Sequence, residues 1–190
     1  MYPWLKCIGK GYTIAVSDIT GSMKILITNY HLSGGGGHTT YIKSLVDSGS
    51  SAHSYVVACP SSSNLFSRIS GLKLKVYDIE FPGKLRELIN LCRQARRLRE
   101  SIVTECFDVV HVNGSPDHRL LMLVLLTLPR VKRPKIIFTK HNSLDLRDSF
   151  WTCWRFEKFC DAIILVCSGL HTMIPNRIKK HATLTIIENG

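Results

Sequence analysis

The chain has 190 residues, 45% of them hydrophobic, and a formal net charge of +11. This size and composition suit one ordinary domain or one large lobe of a bigger enzyme, and they exclude a chain that is disordered throughout. The charge favours acidic partners, which are nucleic acid, anionic lipid or phosphorylated metabolites. The longest apolar run, Leu120–Leu128, is far shorter than the roughly 20 residues of a membrane-spanning helix, so it predicts a buried helix.

The first 22 residues have a weak apolar centre that is interrupted by Gly9, Gly11 and Asp18, so they make a poor signal peptide. Met23 and Lys24 open a clean strand. We expect residues 1–22 to lie outside the core fold and residues 23–190 to form the domain. The alternative is that the first 22 residues add an edge element.

From Lys24 onward, short apolar runs alternate with helical segments. The predicted strands are KILITNY, SYVVACP, KLKVYDIEF, DVVHVNG, PKIIFTKHN, DAIILVCS and ATLTIIEN. Helices are predicted in HTTYIKSLVDSG, in the long segment 83–107, and in DHRLLMLVLLTLPR, SFWTCWRFEKFC and GLHTMIPNRIKK. Alternating strands and helices imply a parallel sheet, and strands without polar alternation imply burial on both faces. The sequence therefore predicts an α/β fold, a Rossmann-like doubly wound parallel sheet of about seven strands.

The long helix has one predicted apolar face. Its members fall close to helical spacing and are Leu85, Leu88, Ile89, Cys92, Ala95, Ile102 and Val103.

Polar residues cluster where strands end, and a doubly wound sheet binds ligands at that edge. HLSGGGGH follows the first strand, HVNGSPDH ends the fourth, KHNS ends the fifth and ENG ends the last. The candidate residues are His38, His111, Asn113, Asp117, His118, Lys140, His141, Asn142, Glu188, Asn189 and Gly190.

The glycine run Gly34–Gly37 precedes a predicted helix. Glycine lets backbone amides approach a ligand closely, and a helix that starts there offers unpaired amides to a phosphate. The run is neither the dinucleotide G-x-G-x-x-G fingerprint nor a Walker phosphate loop, because His38 and Thr39 follow its last glycine. It predicts contact with a phosphate-bearing ligand, and the alternative is a flexible turn.

Seven cysteines, an odd number without a CxxC pair, give neither zinc spacing nor a secreted disulfide framework. We expect mostly buried, reduced thiols in a cytoplasmic protein, and no metal site.

In this order, the segments MKILITNYHLSGGGGHTTYIKSL, FDVVHVNGSPDH, PKIIFTKHN, DAIILVCSGL and IIENG resemble the amino-terminal domain of a GT-B glycosyltransferase. The resemblance is to glycosyltransferase family 4, whose members are retaining enzymes that use nucleotide sugars, and it covers residues 23–190. Two positions depart from the family pattern. Asn113 stands where the family has a second histidine, and Glu188 stands where the terminal motif has proline.

The resemblance implies roles for individual residues. Gly36 and Gly37 would face the donor pyrophosphate, and His141 would sit near the transferred sugar as the catalytic residue. The acceptor side would be lined by His38, Asn113, Asp117, His118 and Asn142. Glu188, Asn189 and Gly190 would lie at the crossing to a second domain.

The resemblance also implies no cofactor, with a UDP- or GDP-sugar as substrate and a glycan or lipid-linked acceptor. We expect the second domain of the family, which makes most donor contacts, to be absent from this chain. We therefore expect the chain alone to be nearly inactive and to work with a companion lobe or subunit.

Each residue also has a plainer interpretation. His141 can cap a turn or bond a backbone carbonyl, Asp117 and His118 can cap a helix, and His38 can stabilise the glycine loop. His111, inside an apolar strand, is expected to be a satisfied buried histidine. Glu188 can simply end a strand.

Basic residues gather on the long helix and in two later segments. They are Arg86, Arg93, Arg96, Arg97, Arg99, Arg130–Lys135 and Arg177–Lys180. The resemblance to enzymes with lipid-linked acceptors suggests peripheral contact with an anionic membrane, and the alternative is an ordinary solvated face. Nucleic-acid binding is not predicted, because no helix-turn-helix, zinc-finger or RNA-binding signature is present.

The first functional hypothesis is the acceptor-binding half of a sugar-transferring enzyme in bacterial surface polysaccharide or lipopolysaccharide assembly. The second is a folded, non-catalytic remnant or binding subunit. A third is another Rossmann-like nucleotide-binding protein.

Overall fold

The computed structural model describes residues 21–33, 36–49, 52–83, 87–142 and 144–188. Within these residues the strands are β1 Lys24–Thr28, β2 Ser54–Cys59, β3 Lys75–Asp78, β4 Val109–Val112, β5 Lys135–Lys140, β6 Ala162–Leu165 and β7 Thr183–Ile186. The helices are α1 Gly36–Gly49, α2 Asn64–Ile69, α3 Leu88–Glu105, α4 Ser115–Leu126, α5 Phe150–Phe159 and α6 Asn176–Lys179. Residues 1–22 were predicted to lie outside the core fold. Residues 1–20 lie outside the described part, so the prediction for them stays open, and residues 21 and 22 precede β1.

All the strands form one parallel sheet in the order β3-β2-β1-β4-β5-β6-β7. The order reverses between β1 and β4, where the chain returns past its first strand. In open α/β sheets, such a reversal leaves a crevice at the carboxyl ends of the two strands. The predicted Rossmann-like parallel sheet is confirmed.

Successive strand residues point to opposite sides of the sheet. Helices cover both sides, so the sheet has one core on each face. Ile25 and Ile27 of β1 join the core beneath α1 and α2, together with Ile42. Leu26, between them, joins the core on the other face with residues of α3, α4 and α5, including Phe156. The fold is therefore doubly wound, and its strands are buried from both sides.

The buried row of α3 differs from the predicted one. Packing buries Gln94, Leu98, Ser101 and Ile102. Leu88, Ile89 and Val103 are exposed, and Ile89 keeps 80% of its surface in contact with solvent. A polar residue enters this interface because the Gln94 side chain accepts a hydrogen bond from the amide of Glu80 and donates one to Asn90.

Helix α4 carries the longest apolar run, and Leu120, Leu121, Val124 and Leu125 are buried as predicted. Among the described residues, no helix is both long enough and apolar enough to cross a membrane.

The six cysteines in the described part of the chain are free, and half of them are buried, whereas Cys7 lies outside the described residues. Cys59, Cys153 and Cys160 are buried, whereas Cys92, Cys106 and Cys167 are exposed.

Candidate functional site

The carboxyl ends of β1, β4 and β5 converge on one pocket of about 250 Å³. Its lining includes Tyr30 after β1, His38 in α1, Asn113 after β4 and His141 after β5. Residues far apart in the sequence therefore meet at the point where the strand order reverses, as parallel strands require.

The His141 ring is held by Asn113. The amide Nδ2 of Asn113 donates a hydrogen bond to the carbonyl oxygen of Thr28 over 3.0 Å, so its Oδ1 is the acceptor for His141 Nε2 at 2.9 Å. His141 therefore carries its hydrogen on Nε2, and Nδ1 keeps a lone pair. Burial, followed by the neighbouring histidines, lowers the pKa of His141 to about 3. At neutral pH it is an uncharged ring that can accept a hydrogen bond from a hydroxyl group.

Two further imidazoles lie in ring contact beside it. The ring centroids of His38 and His141 are 4.1 Å apart, and those of His31 and His38 are 4.3 Å apart. Burial lowers the pKa of His38 to about 4 and also lowers that of His31. The planes of the His38 and His141 rings are tilted by 44° and those of His31 and His38 by 57°. In the described part of the chain, no group of three or more His, Cys, Asp or Glu side chains is arranged to hold a metal ion.

The start of α1 lies next to this group of histidines, because His38 is in its first turn. Gly36 opens the helix and Gly37 is exposed, with no atom within 4 Å of where a Cβ would stand. The positive end of the helix dipole therefore lies beside His141. The pyrophosphate contact of the two glycines stays a prediction.

Asp117 is fully buried and fixes the backbone of Asn113. Its Oδ2 accepts hydrogen bonds from Thr28 Oγ1 at 2.7 Å and from the Asn113 amide at 3.1 Å. Burial raises the Asp117 pKa to about 7, against these hydrogen bonds. Asp117 supports the site from behind, and the N-cap of α4 is Gly114 instead.

His118 belongs to the core rather than to the predicted acceptor surface. It has no solvent exposure, and its Nε2 donates to the Phe159 carbonyl oxygen over 2.8 Å. Its ring packs against Phe138 and Phe156. The reason is that α5 covers this side of α4, which a single-helix pattern does not reveal.

The remaining predicted residues lie at the rim or outside the described part. Asn142 is exposed beside the pocket, and its acceptor role stays a prediction. Glu188 is exposed after β7, whereas Asn189 and Gly190 fall outside the described residues. His111 is buried, with its Nε2 2.5 Å from Thr139 Oγ1, and so it is the satisfied histidine that its strand position predicts.

Lys140 has a structural task that the sequence did not suggest. It is almost fully buried, and its Nζ donates hydrogen bonds to the carbonyl oxygens of Asn142 and Leu144 and to Asn142 Oδ1. Burial lowers its pKa. The lysine thereby shapes the loop that borders His141.

Tyr30 was not predicted as a site residue, although it follows β1 and so lies at the carboxyl end of a parallel strand, where site residues are expected. It packs so closely on Gly114 that a Cβ at that position would lie 2.2 Å from Tyr30 Cε1. Gly114 is therefore required here by close approach, and the pocket wall depends on it.

Comparisons with known proteins agree with this architecture. A family model described as Glycosyltransferase Family 4 matches residues 35–190. The chain is similar to MurG of Acinetobacter baumannii, with a TM-score of 0.59 and 11% identity, over 88% of this chain and 45% of that one. A sequence comparison with curated proteins gives no significant match.

Two further solved structures have a similar fold. HepE of Anabaena in complex with UDP-glucose has a TM-score of 0.61 and 12% identity, over 88% of this chain and 44% of that one. The lipopolysaccharide outer core galactosyltransferase WaaB has a TM-score of 0.63 and 16% identity, over 88% and 46%. The chain spans less than half the length of each of these three structures.

Proposed function

Since this chain belongs to Glycosyltransferase Family 4, we propose that it is the acceptor-side lobe of an enzyme that moves a sugar from a nucleotide-sugar donor to a glycan or lipid-linked acceptor. The fold supports this assignment, and so does its likeness to HepE, which was solved with UDP-glucose. The likeness to WaaB, a lipopolysaccharide outer core galactosyltransferase, supports a place in lipopolysaccharide or other cell-surface polysaccharide assembly. We assign this step to the cytoplasmic face of the membrane.

The observation that carries the proposal is the His141–Asn113 pair beside the start of α1. The free lone pair of His141 Nδ1 suits a sugar hydroxyl, because the ring is held neutral and oriented. The unpaired amides at the start of α1 suit the diphosphate of the donor. One cleft thus offers groups of the right kind for both halves of a nucleotide sugar.

In this proposal, catalysis rests on orientation and on stabilising the departing diphosphate. The lobe described here contributes the oriented imidazole and the positive end of α1, and a second lobe contributes the remaining donor contacts. Transfer proceeds with retention at the anomeric carbon, and no carboxylate of this chain is assigned as nucleophile. The lobe without this companion is expected to show no turnover with nucleotide sugars.

The experiment is a titration of the chain, with ¹⁵N-labelled histidine, by UDP-glucose, GDP-mannose and NAD. We expect a sugar nucleotide to shift the His38 and His141 resonances, with NAD much weaker, and His171, an exposed histidine outside the pocket, to stay unchanged. Equal responses to NAD and both sugar nucleotides, or none at millimolar concentration, would contradict the proposal.

The second candidate function is a non-catalytic binding subunit with the same fold. The lining of the His141 pocket, which includes His38 and Asn113, offers hydrogen-bonding groups for a sugar, and binding alone requires no more. Mixing the chain with candidate companion lobes separates the two cases, because only the enzyme gains sugar transfer on mixing.

A further inference from the structure

A second, wider hollow lies between α4, α5 and the segment 145–149, with a volume of about 650 Å³. It shares Ser115, Asp145 and Leu146 with the pocket that holds His141. The two therefore form one continuous surface, and a ligand longer than one sugar can occupy both.

Three arginines line this hollow. Arg119 and Arg147 are exposed, while Arg155 keeps only 7% of its surface in contact with solvent. Asp145 is the acidic residue among the described lining. The hollow therefore has an excess of positive charge.

Arg155 is unusual because its charge is buried without a counter-ion. Its Nε is fully buried and has no hydrogen-bond partner among the described residues. None of the ion pairs between those residues includes Arg155. Its guanidinium carbon lies 5.3 Å from the centre of the Phe156 ring. Burial and then the charge of Arg119 lower the Arg155 pKa to about 10, and Asp117 opposes this effect. Buried charges in proteins are normally paired, so this cation lacks an anion.

Aromatic surface accompanies the arginines. Trp151 and Trp154 line the same hollow, and Trp151 is 73% exposed. Indole faces offer flat apolar area next to the charged groups. The combination suits a ring-bearing ligand that also carries a negative group.

We propose that this hollow binds a phosphate or carboxylate group on the acceptor sugar chain, with Arg119 and Arg155 as the ligands of the oxyanion. The inference rests on the proposed function, because it places the unit to be glycosylated beside His141 and the charged unit next to it. The enzyme thus selects an anionic acceptor over a neutral one.

The test is a fluorescence titration of the full chain in which Trp4 is replaced by Phe, so that Trp151 and Trp154 report. The probes are a hexose 6-phosphate, glucuronate, inorganic phosphate and glucose. We expect saturable binding of a charged sugar, weaker binding of inorganic phosphate and no response to glucose. Arg119→Gln should weaken charged-sugar binding about tenfold, the scale of one charge-assisted hydrogen bond.

Arg97→Gln is the matched control, because Arg97 is exposed on α3 and does not line the hollow. Arg155→Gln is a second test if this variant folds. If it does not fold, Arg119→Gln still tests the inference, because Arg119 is exposed. The inference is overturned if neither charged sugar binds, if inorganic phosphate binds as tightly, or if Arg119→Gln and Arg97→Gln weaken binding equally.

The histidine resonances separate this inference from the proposed function. Intact shifts of His38 and His141 by a sugar nucleotide, without binding of charged sugars, overturn the acceptor inference alone. Binding of charged sugars without those shifts overturns the donor assignment and leaves an oxyanion site in place.

Discussion

His141 donates a hydrogen bond from Nε2 to Oδ1 of Asn113 over 2.9 Å, and this bond joins the ends of β5 and β4. Asn113 is in turn fixed by the Thr28 carbonyl and by Asp117. The orientation of the imidazole is therefore set by three strands and one helix, not by a flexible loop.

Asn113→Asp should raise the His141 pKa from about 3, by about 1–3 units, because an adjacent carboxylate favours the imidazolium. The change also removes the donor to the Thr28 carbonyl, at a cost in stability of about 1–3 kcal/mol. A pH titration followed by NMR of the labelled histidines measures the shift. Asn176→Asp, at an exposed position of α6, is the control. An unchanged His141 titration in Asn113→Asp would be evidence against the hydrogen bond.

Gly114→Ala should destabilise the fold, because the new Cβ would collide with the Tyr30 ring. Overpacking of this kind costs about 1–3 kcal/mol. Urea unfolding gives the change in the free energy of unfolding. Gly71→Ala is the matched control, since nothing lies within 4 Å of its Cβ position, and equal midpoints for the two variants would show that Tyr30 does not pack as described.

The free energy of unfolding should fall as the pH drops below about 6.5. Burial lowers the pKa of His38 and His111 to about 4, and that of His118 and His141 to about 3. The unfolded chain binds more protons than the folded one between those values and 6.5, so stability present above 6.5 is lost through this window. Asp117, with its pKa raised to about 7, acts in the opposite direction between about 4 and 7.

Removing one of these histidines measures its share of the pH slope. His141→Gln should reduce the slope of stability against pH by at most about 1.4 kcal/mol per pH unit. His171→Gln, at an exposed position, is the control. Denaturant midpoints at several pH values between 4 and 8 supply the data, and identical slopes for wild type and His141→Gln would refute the assignment.

Glu105→Gln should lower stability at neutral pH. The Glu105 carboxylate accepts hydrogen bonds from the ammonium groups of Lys24 and Lys75 and from Tyr77 Oη, and these bonds, that of Lys24 first, lower its pKa to about 2. Its contribution is present above about 4.5 and is lost as the pH falls towards 2, so wild type and variant should converge in acid. Thermal melts at pH 7 and pH 3 test this, with Glu100→Gln on the exposed side of α3 as the control.

Membrane contact remains a prediction from the basic residues of α3 and of the segment after α4. If it occurs, sedimentation with vesicles should increase with anionic lipid and decrease with salt, at about 1 kcal/mol for each basic residue near the surface. Arg93→Gln/Arg97→Gln is the variant to compare. A sedimented fraction that does not depend on anionic lipid would contradict membrane contact through these basic residues.

The sequence predicted those parts of the site whose positions depend only on the order of the parallel strands. Asn113 and His141 directly follow parallel strands, so their convergence follows from the order of elements. The sequence did not predict that His118 and Arg155 are buried. Whether a helical residue is buried depends on which neighbouring helix covers it. The exposed Ile89 on α3 has the same cause, since packing against the sheet selected a different row.

Lys140 Nζ holds the loop after β5 mainly by hydrogen bonds to the backbone carbonyl oxygens of Asn142 and Leu144. Every amino acid has such a carbonyl group. Side chains along that loop can therefore be exchanged during evolution without altering its path. Under the proposed function, substitutions at this rim would change the preferred acceptor, while the imidazole behind it would keep its geometry.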